Sequence, residues 1–224
     1  MTDRPALLLD LDGTLTDSVY QHALAWCKAL ELGGISLSVW RIHRRIGMSG
    51  GLLADSLSRE VGRKLSEQET AKLKAAHARL FRMQIRDVRL LPGAKELMRY
   101  LTKTKVPWAI ATSGALASAT PLLKLVDPPA SVPIISRDDV EHAKPNPDLW
   151  LAAAARLGVP PESSIAIGDS VWDLLAARRA RALGVGLLSG GYGQEELERA
   201  GAYRVYEDPA DLLVHIDELG IRAA

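Results

Sequence analysis

The chain has 224 residues, 47% of them hydrophobic and 25% charged, which suits one soluble globular domain with room for a modest insertion. Its 28 basic and 27 acidic side chains nearly cancel to a formal charge of +1, which leaves no electrostatic footprint for nucleic acid or an anionic membrane surface. No segment approaches the roughly 20 apolar residues of a membrane span, no signal-peptide pattern precedes Asp10, and the lone Cys27 cannot form an internal disulfide, so a cytoplasmic protein is expected.

In chain order, the first apolar run is residues 6–9, which stops at Asp10. Further short runs follow at 106–111, 165–167 and 185–188, with weaker ones at 132–135 and 203–206. Each main run ends in Gly, Ser, Thr or Asp and precedes a helix-like stretch. Short runs without alternation suit strands buried on both faces, and their alternation with helices predicts a parallel sheet in a three-layer α/β fold. Residues 17–91 break that rhythm and carry only helical periodicity. The segment 66–86 is rich in helix formers, and Ser66 with Glu69 fits a capping box. Leu91, Pro92 and Gly93 then return the chain to the α/β pattern. The expected organisation is a core of residues 1–16 and 92–224 with a helical lid, 17–91, hinged near Thr16-Asp17 and Leu91-Pro92-Gly93.

Chemistry-bearing residues gather where these runs end. Asp10 and Asp12 fall at the carboxyl end of the first run, where ligand sites of open parallel sheets lie; in extended geometry they point to one side. Thr112, Ser113 and Gly114 offer hydroxyls and backbone N–H groups before a helix, as N-capping or as a phosphate cradle. Lys144 stands in Ala143-Lys144-Pro145-Asn146-Pro147, where Asn146 can cap a helix with Pro147 in its first position. Asp169 and Asp173 are four apart at a helix start, where like charges repel unless a cation separates them. Clustered acids in a dry cleft conflict, and a hard dication held by oxygen ligands, Mg²⁺ above all, removes the conflict. A metal, an ammonium and an anion-binding hydroxyl around one carboxylate point to phosphoryl transfer.

The motif Asp10-Leu11-Asp12-Gly13-Thr14-Leu15, with Thr112, Lys144 and Gly168-Asp169 through Asp173, resembles the four signature motifs of the haloacid dehalogenase-like hydrolase superfamily, in order and across the whole chain. The helical insertion resembles the cap of the subfamily that includes phosphoglycolate phosphatases and β-phosphoglucomutases. The resemblance implies a Rossmann-like core, a central parallel sheet, and a site between core and cap for a small phosphorylated metabolite. It implies Asp10 as nucleophile and metal ligand, Asp12 as acid/base with its carbonyl on Mg²⁺, and Asp169 as a further ligand. Thr112, with the Ser113 backbone, would hold the phosphoryl oxygens, Lys144 would offset the charge of nucleophile and phosphate, and Asp173 would orient Lys144 or a metal-bound water. Asp12 excludes the dehalogenase branch. His22 and Trp26 resemble the mutase branch, but the loop Ile46-Gly47-Met48-Ser49-Gly50-Gly51 has Gly where the mutases keep an arginine, which favours a phosphatase. Arg44 or Arg45 could supply the missing cation; the cluster Arg41, His43, Arg44 and Arg45 otherwise reads as a solvated helix face. A catalytically silent binding protein of this fold would be expected to lose Asp10, Asp12 or Lys144, and all three are present.

Overall fold

The computed structural model describes residues 5–48 and 50–221. Its first strand, β1 (Ala6–Leu9), reads ALLL with every side chain buried. It leads to the two-residue β2 (Thr16–Asp17), helices α1 (Val19–Leu32), α2 (Val39–His43), α3 (Gly50–Glu60) and α4 (Glu67–Gln84), and β3 (Arg89–Leu90). Strict alternation follows: α5 (Ala94–Lys103), β4 (Trp108–Ala111), α6 (Leu116–Val126), β5 (Ile134–Ile135), α7 (Asp148–Leu157) and β6 (Ser164–Gly168). Then come α8 (Val171–Ala180), β7 (Leu183–Leu187), α9 (Gln194–Ala200), β8 (Ala202–Tyr206) and α10 (Pro209–Val214).

One six-stranded sheet, ordered β5-β4-β1-β6-β7-β8 and parallel throughout, carries the Rossmann-like fold. Because strand side chains alternate, Leu7 and Leu9 enter the core on one face while Leu8 enters the other. The first face receives Ala94, Leu97, Met98 and Leu101 of α5, an i, i+3, i+4, i+7 stripe. The second receives Leu149, Trp150 and Ala153 of α7 with Ala176 and Ala177 of α8. Strand order reverses at β1, and such a switch point opens a crevice at the strands' carboxyl ends. Leu9 is level with Ile110 on one side and Ile167 on the other, so Asp10, Thr112 and Asp169 leave the sheet at the same edge.

Helices α1 to α4 gather a separate apolar cluster that includes Trp26, Leu30, Ile42, Leu53, Leu57 and Leu73. The capping box at the start of α4 is present: the Glu69 N–H donates to Ser66 Oγ at 3.2 Å and the Ser66 N–H to the Glu69 carboxylate at 2.8 Å.

Several expectations shift. The run 106–111 becomes strand only at Trp108, because Pro107 has no N–H to donate to a ladder. Helix α7 starts at Asp148 with Pro147 as its N-cap, so Asn146 does not cap it. The stretch 17–91 is not free of strand. β2 and β3 pair antiparallel, Thr16 with Leu90 and Asp17 with Arg89, where the chain enters and leaves the helical insertion. A two-residue strand has no period to detect, so nothing in the sequence marked it.

Candidate active site

Asp10 sits one residue beyond β1 and is 7% exposed. Its carboxylate is ion-paired to Lys144, whose ammonium also lies 2.6 Å from Asp173 Oδ1, 3.1 Å from the Ala111 carbonyl and 4.3 Å from the centre of the Trp150 ring. Lys144 is therefore held beneath Asp10 and committed on every side. It is not among the residues lining the cavity above, where sequence placed it as a phosphoryl contact. Asp173 spends its other oxygen on the Ser170 N–H and hydroxyl, at 3.1 and 2.5 Å, in the capping box that opens α8. Asp169 precedes that helix and is buried, and among the described residues it has no ion-pair partner.

The charges are mutually strained. Burial pushes the Asp10 carboxyl up to about 7 against the pull of Lys144, with Asp173 and Asp12 adding to the rise. Burial, then Asp173 and Asp10, holds Asp169 well above the usual carboxylate range. Burial works against the charge on Lys144, but Asp10 and Asp173 outweigh it and raise its pKa. Burial also opposes the Asp12 charge; His22 and Ser18 overcome it and hold Asp12 below its ordinary value.

Oxygens of Asp10, Asp169 and Asp173 all lie within 4.8 Å of one another. Three carboxylates against the one Lys144 ammonium leave an excess of negative charge in a buried place. A hard dication with oxygen ligands fits that donor set. Two glycines make the arrangement possible. A Cβ on Gly190 would fall 1.8 Å from Asp169 Oδ2, and one on Gly13, already at φ +81°, would fall 2.5 Å from it.

Above Asp10 opens a cavity of about 400 Å³. Asp10, Asp12, Thr112, Ser113, Arg137 and Asp169 line it from the sheet side. Thr112 Oγ1 accepts the Gly114 N–H at 3.0 Å, whereas Ser113 Oγ is buried with no hydrogen-bond partner. Helix α6 begins only at Leu116, so neither hydroxyl caps it. Asp12 projects into the cavity, accepting from Ser18 Oγ at 2.6 Å and from His22 Nε2 at 3.1 Å.

The helical insertion supplies the opposite wall with His22, Trp26, Arg45, Met48, Lys74 and His77. Arg44 is not brought there. Its guanidinium pairs with Glu196 and lies 4.2 Å over the Tyr192 ring, and its carbonyl accepts from Trp172 Nε1 and the Tyr192 hydroxyl. Arg45 reaches the cavity but is paired with Glu60, which also takes Arg41 at 2.6 Å. His43 is buried, its Nε2 2.8 Å from the Gly190 carbonyl. The basic cluster is thus not a solvated face: two members tie the insertion to the sheet half, and two share one glutamate. Ser49 of the glycine-rich loop lies outside the described residues.

Sequence reasoning missed Lys74, His77 and Arg137. Lys74 is exposed at the cavity and has no hydrogen-bond or ion-pair partner among the described residues. Lys74, His77 and Phe81 are spaced three and four apart on α4, so their common face was readable. What that face meets was not.

The family model described as a haloacid dehalogenase-like hydrolase matches residues 5–181. The chain belongs to the haloacid dehalogenase-like hydrolase family. A crystal structure of a hydrolase from Pseudomonas syringae superposes with a TM-score of 0.94 at 52% identity, covering 96% of this chain and 99% of that one. Hexitol phosphatase A of Escherichia coli is 30% identical over 176 residues, 77% of this chain and 78% of its own length. Phosphoglycolate phosphatase of Rhodospirillum rubrum is 28% identical over 218 residues, 92% of this chain and 88% of its own. Among the described residues, no helix is long and apolar enough to cross a membrane.

Proposed function

We propose that this family member is a Mg²⁺-dependent phosphatase of small phosphate monoesters, of the sugar-phosphate or phosphoglycolate kind, acting through an aspartyl-phosphate on Asp10. One observation carries the reading: Asp10 lines the cavity with Lys144 locked beneath it, and Asp12, Thr112 and Ser113 line the same space. The phosphatase names of the similar proteins support it.

In the first step a carboxylate oxygen of Asp10 attacks phosphorus, and the bond from phosphorus to the ester oxygen breaks. Asp12 gives its proton to the departing alkoxide, which leaves as the alcohol. In the second step Asp12 takes a proton from a water that attacks the aspartyl-phosphate; phosphate departs and Asp10 is restored. Lys144 offsets part of the cost of the Asp10 charge and orients it, and Asp173 fixes Lys144. Thr112 and Ser113 offer hydroxyl and backbone donors to the phosphoryl oxygens. The Asp10 and Asp169 carboxylates, with the Asp12 carbonyl, would hold Mg²⁺, which supplies charge neutralisation for the phosphoryl group when bound.

Residues 17–91 act in this reading as a cap that closes over the substrate and excludes water, pivoting on the β2–β3 pair. Hydrolysis is favoured over phosphoryl return to a second hydroxyl, because a bisphosphate needs a fixed guanidinium in the cap. Arg44 is engaged with Glu196 and Arg45 with Glu60. Cys27, free of any partner thiol, suits the reducing cytoplasm. Product analysis with β-glucose 1-phosphate and a trace of the 1,6-bisphosphate is the test. Glucose and free phosphate are expected; accumulation of glucose 6-phosphate with little free phosphate would assign the chain to the mutases.

A further inference from the structure

The reaction outlined above leaves His77 without a task, although it lines the same cavity. Its surroundings are unusually ordered for a packing residue. His22 on α1 and His77 on α4 face one another across the insertion, with His22 Nδ1 3.0 Å from His77 Nε2. The second nitrogen of His22, Nε2, lies 3.1 Å from Asp12 Oδ1. Both rings are clamped from the side: His22 stacks on Phe81 with centroids 3.6 Å apart at 9°, and His77 stacks on Trp26 at 4.2 Å and 12°. A continuous line thus runs from Asp12 through His22 to His77, and among the described residues His77 has no further hydrogen bond to carry a proton onward.

An imidazole bonded at one nitrogen only can swing, flip or exchange its proton between nitrogens, and the partner of the second nitrogen decides which of these survives. Burial, then the neighbouring His22, pulls His77 down to about 2, so its ring stays neutral. A neutral ring has one N–H and one lone pair. With its proton on Nε2, His77 donates to His22 Nδ1, and that leaves the His22 N–H on Nε2, which lies against Asp12.

We propose that His77 is a positioning residue that holds the His22 ring with its Nε2–H aimed at Asp12, and that it acts on the reaction only through His22. The proposal rests on the phosphatase reading for Asp12's task, and on geometry alone for the orientation of His22. It also explains why a histidine stands where an apolar residue would pack as well: Leu or Phe would fill the space between Trp26 and His22 but leave His22 Nδ1 without a partner.

Two substitutions separate the hydrogen bond from the packing. His77→Phe keeps a ring against Trp26 and removes the nitrogen; His77→Gln loses the ring and keeps a group that both donates and accepts. With an aryl phosphate and Mg²⁺, His77→Phe should lower kcat about tenfold with KM within about twofold, and His77→Gln should stay within about threefold of wild type. The double variant His22→Ala/His77→Phe should be no slower than His22→Ala alone, since the second change acts through a group already gone. Equal losses in His77→Phe and His77→Gln, additive losses in the double variant, or an effect confined to KM would overturn the proposal. A spectroscopic arm is independent of turnover and of how well a variant folds. Histidine ¹⁵N NMR of the wild-type protein should show the His22 Nε2 proton fixed in place, with no averaging between ring nitrogens. An averaged His22 ring would sink the assignment even if the enzyme were active, and a fixed one would uphold it even if no phosphate ester were turned over.

Discussion

The two walls of the cavity are built by opposite means. On the sheet side, charged groups gather beyond the strand ends and are buried; Lys144 alone meets Asp10, Asp173, a carbonyl and an indole face. On the helical side, the wall is largely aromatic and apolar, with cations at its margin that are either neutralised, as Arg45 is by Glu60, or free, as Lys74 is among the described residues. The difference teaches where chemistry and selectivity reside. In a buried charge cluster a change at one member alters the balance for all the others, whereas an apolar wall with marginal cations can be retuned one side chain at a time. The first wall suits a reaction common to many substrates, and the second suits the choice among them.

Replacing Asp10 by Asn should break that comparison most sharply. The amide keeps the shape and removes the nucleophile, and phosphate release from an aryl phosphate should fall by roughly 10³-fold or more. Near wild-type turnover in the folded variant would remove Asp10 from its role. Next in size, Asp169→Ala should weaken Mg²⁺ binding about tenfold or more, read by isothermal titration, because it deletes one of the buried carboxylates proposed to hold the ion. Unchanged affinity would take Asp169 off the list of ligands.

A smaller effect should appear in stability. Burial shifts Asp10 from 3.8 to about 7, so in that window the folded chain holds a proton the unfolded chain has released. The charge on Asp10 therefore costs stability increasingly as pH rises through the window. In metal-free buffer, Asp10→Asn should gain on wild type in Tm between pH 3.8 and about 7, and Mg²⁺ should narrow the gap by stabilising wild type. A gap that shrinks with rising pH without metal would reverse the sign argued here. The smallest change is expected on the helical wall. Lys74→Ala should raise KM by about threefold to tenfold for phosphate esters that carry a second anionic group, and leave KM for a plain aryl phosphate unchanged. Equal changes for both substrates would show that Lys74 does not read a second anion.

The same contrast explains what the sequence disclosed. Asp10, Thr112 and Asp169 were legible because each follows an apolar run, and a parallel sheet delivers the ends of its runs to one edge; Lys144 was legible from Pro145 and Pro147, which fix the backbone beside it. The further contacts of Lys144, with the Ala111 carbonyl and the Trp150 ring, were not, because they depend on its rotamer. His22 was visible as a candidate, but its partnership with His77 depends on how α1 crosses α4, which no spacing within either helix encodes. Arg44 and Arg45 are neighbours in sequence with opposite fates. One pairs across to Glu196 and the other back to Glu60, because successive residues of a helical turn leave it in different directions. The β2–β3 ribbon was too short to leave a pattern.

The position of β1 has a consequence for how the chain matures. It precedes the other strands of its sheet in the chain and lies inside that sheet, yet its partners begin at Trp108 and Ser164. During synthesis its apolar ALLL segment must therefore wait, unpaired, while the insertion and α5 are made. Helices α1 to α4, which bury a cluster of their own, can settle early on local contacts. The carboxylate cluster forms only when β6 arrives beside β1 and brings Asp169 and Asp173 to Asp10. The mutually repelling carboxylates are thus brought together only after β1 has β4 and α5 to pack against, and not while its segment stands alone.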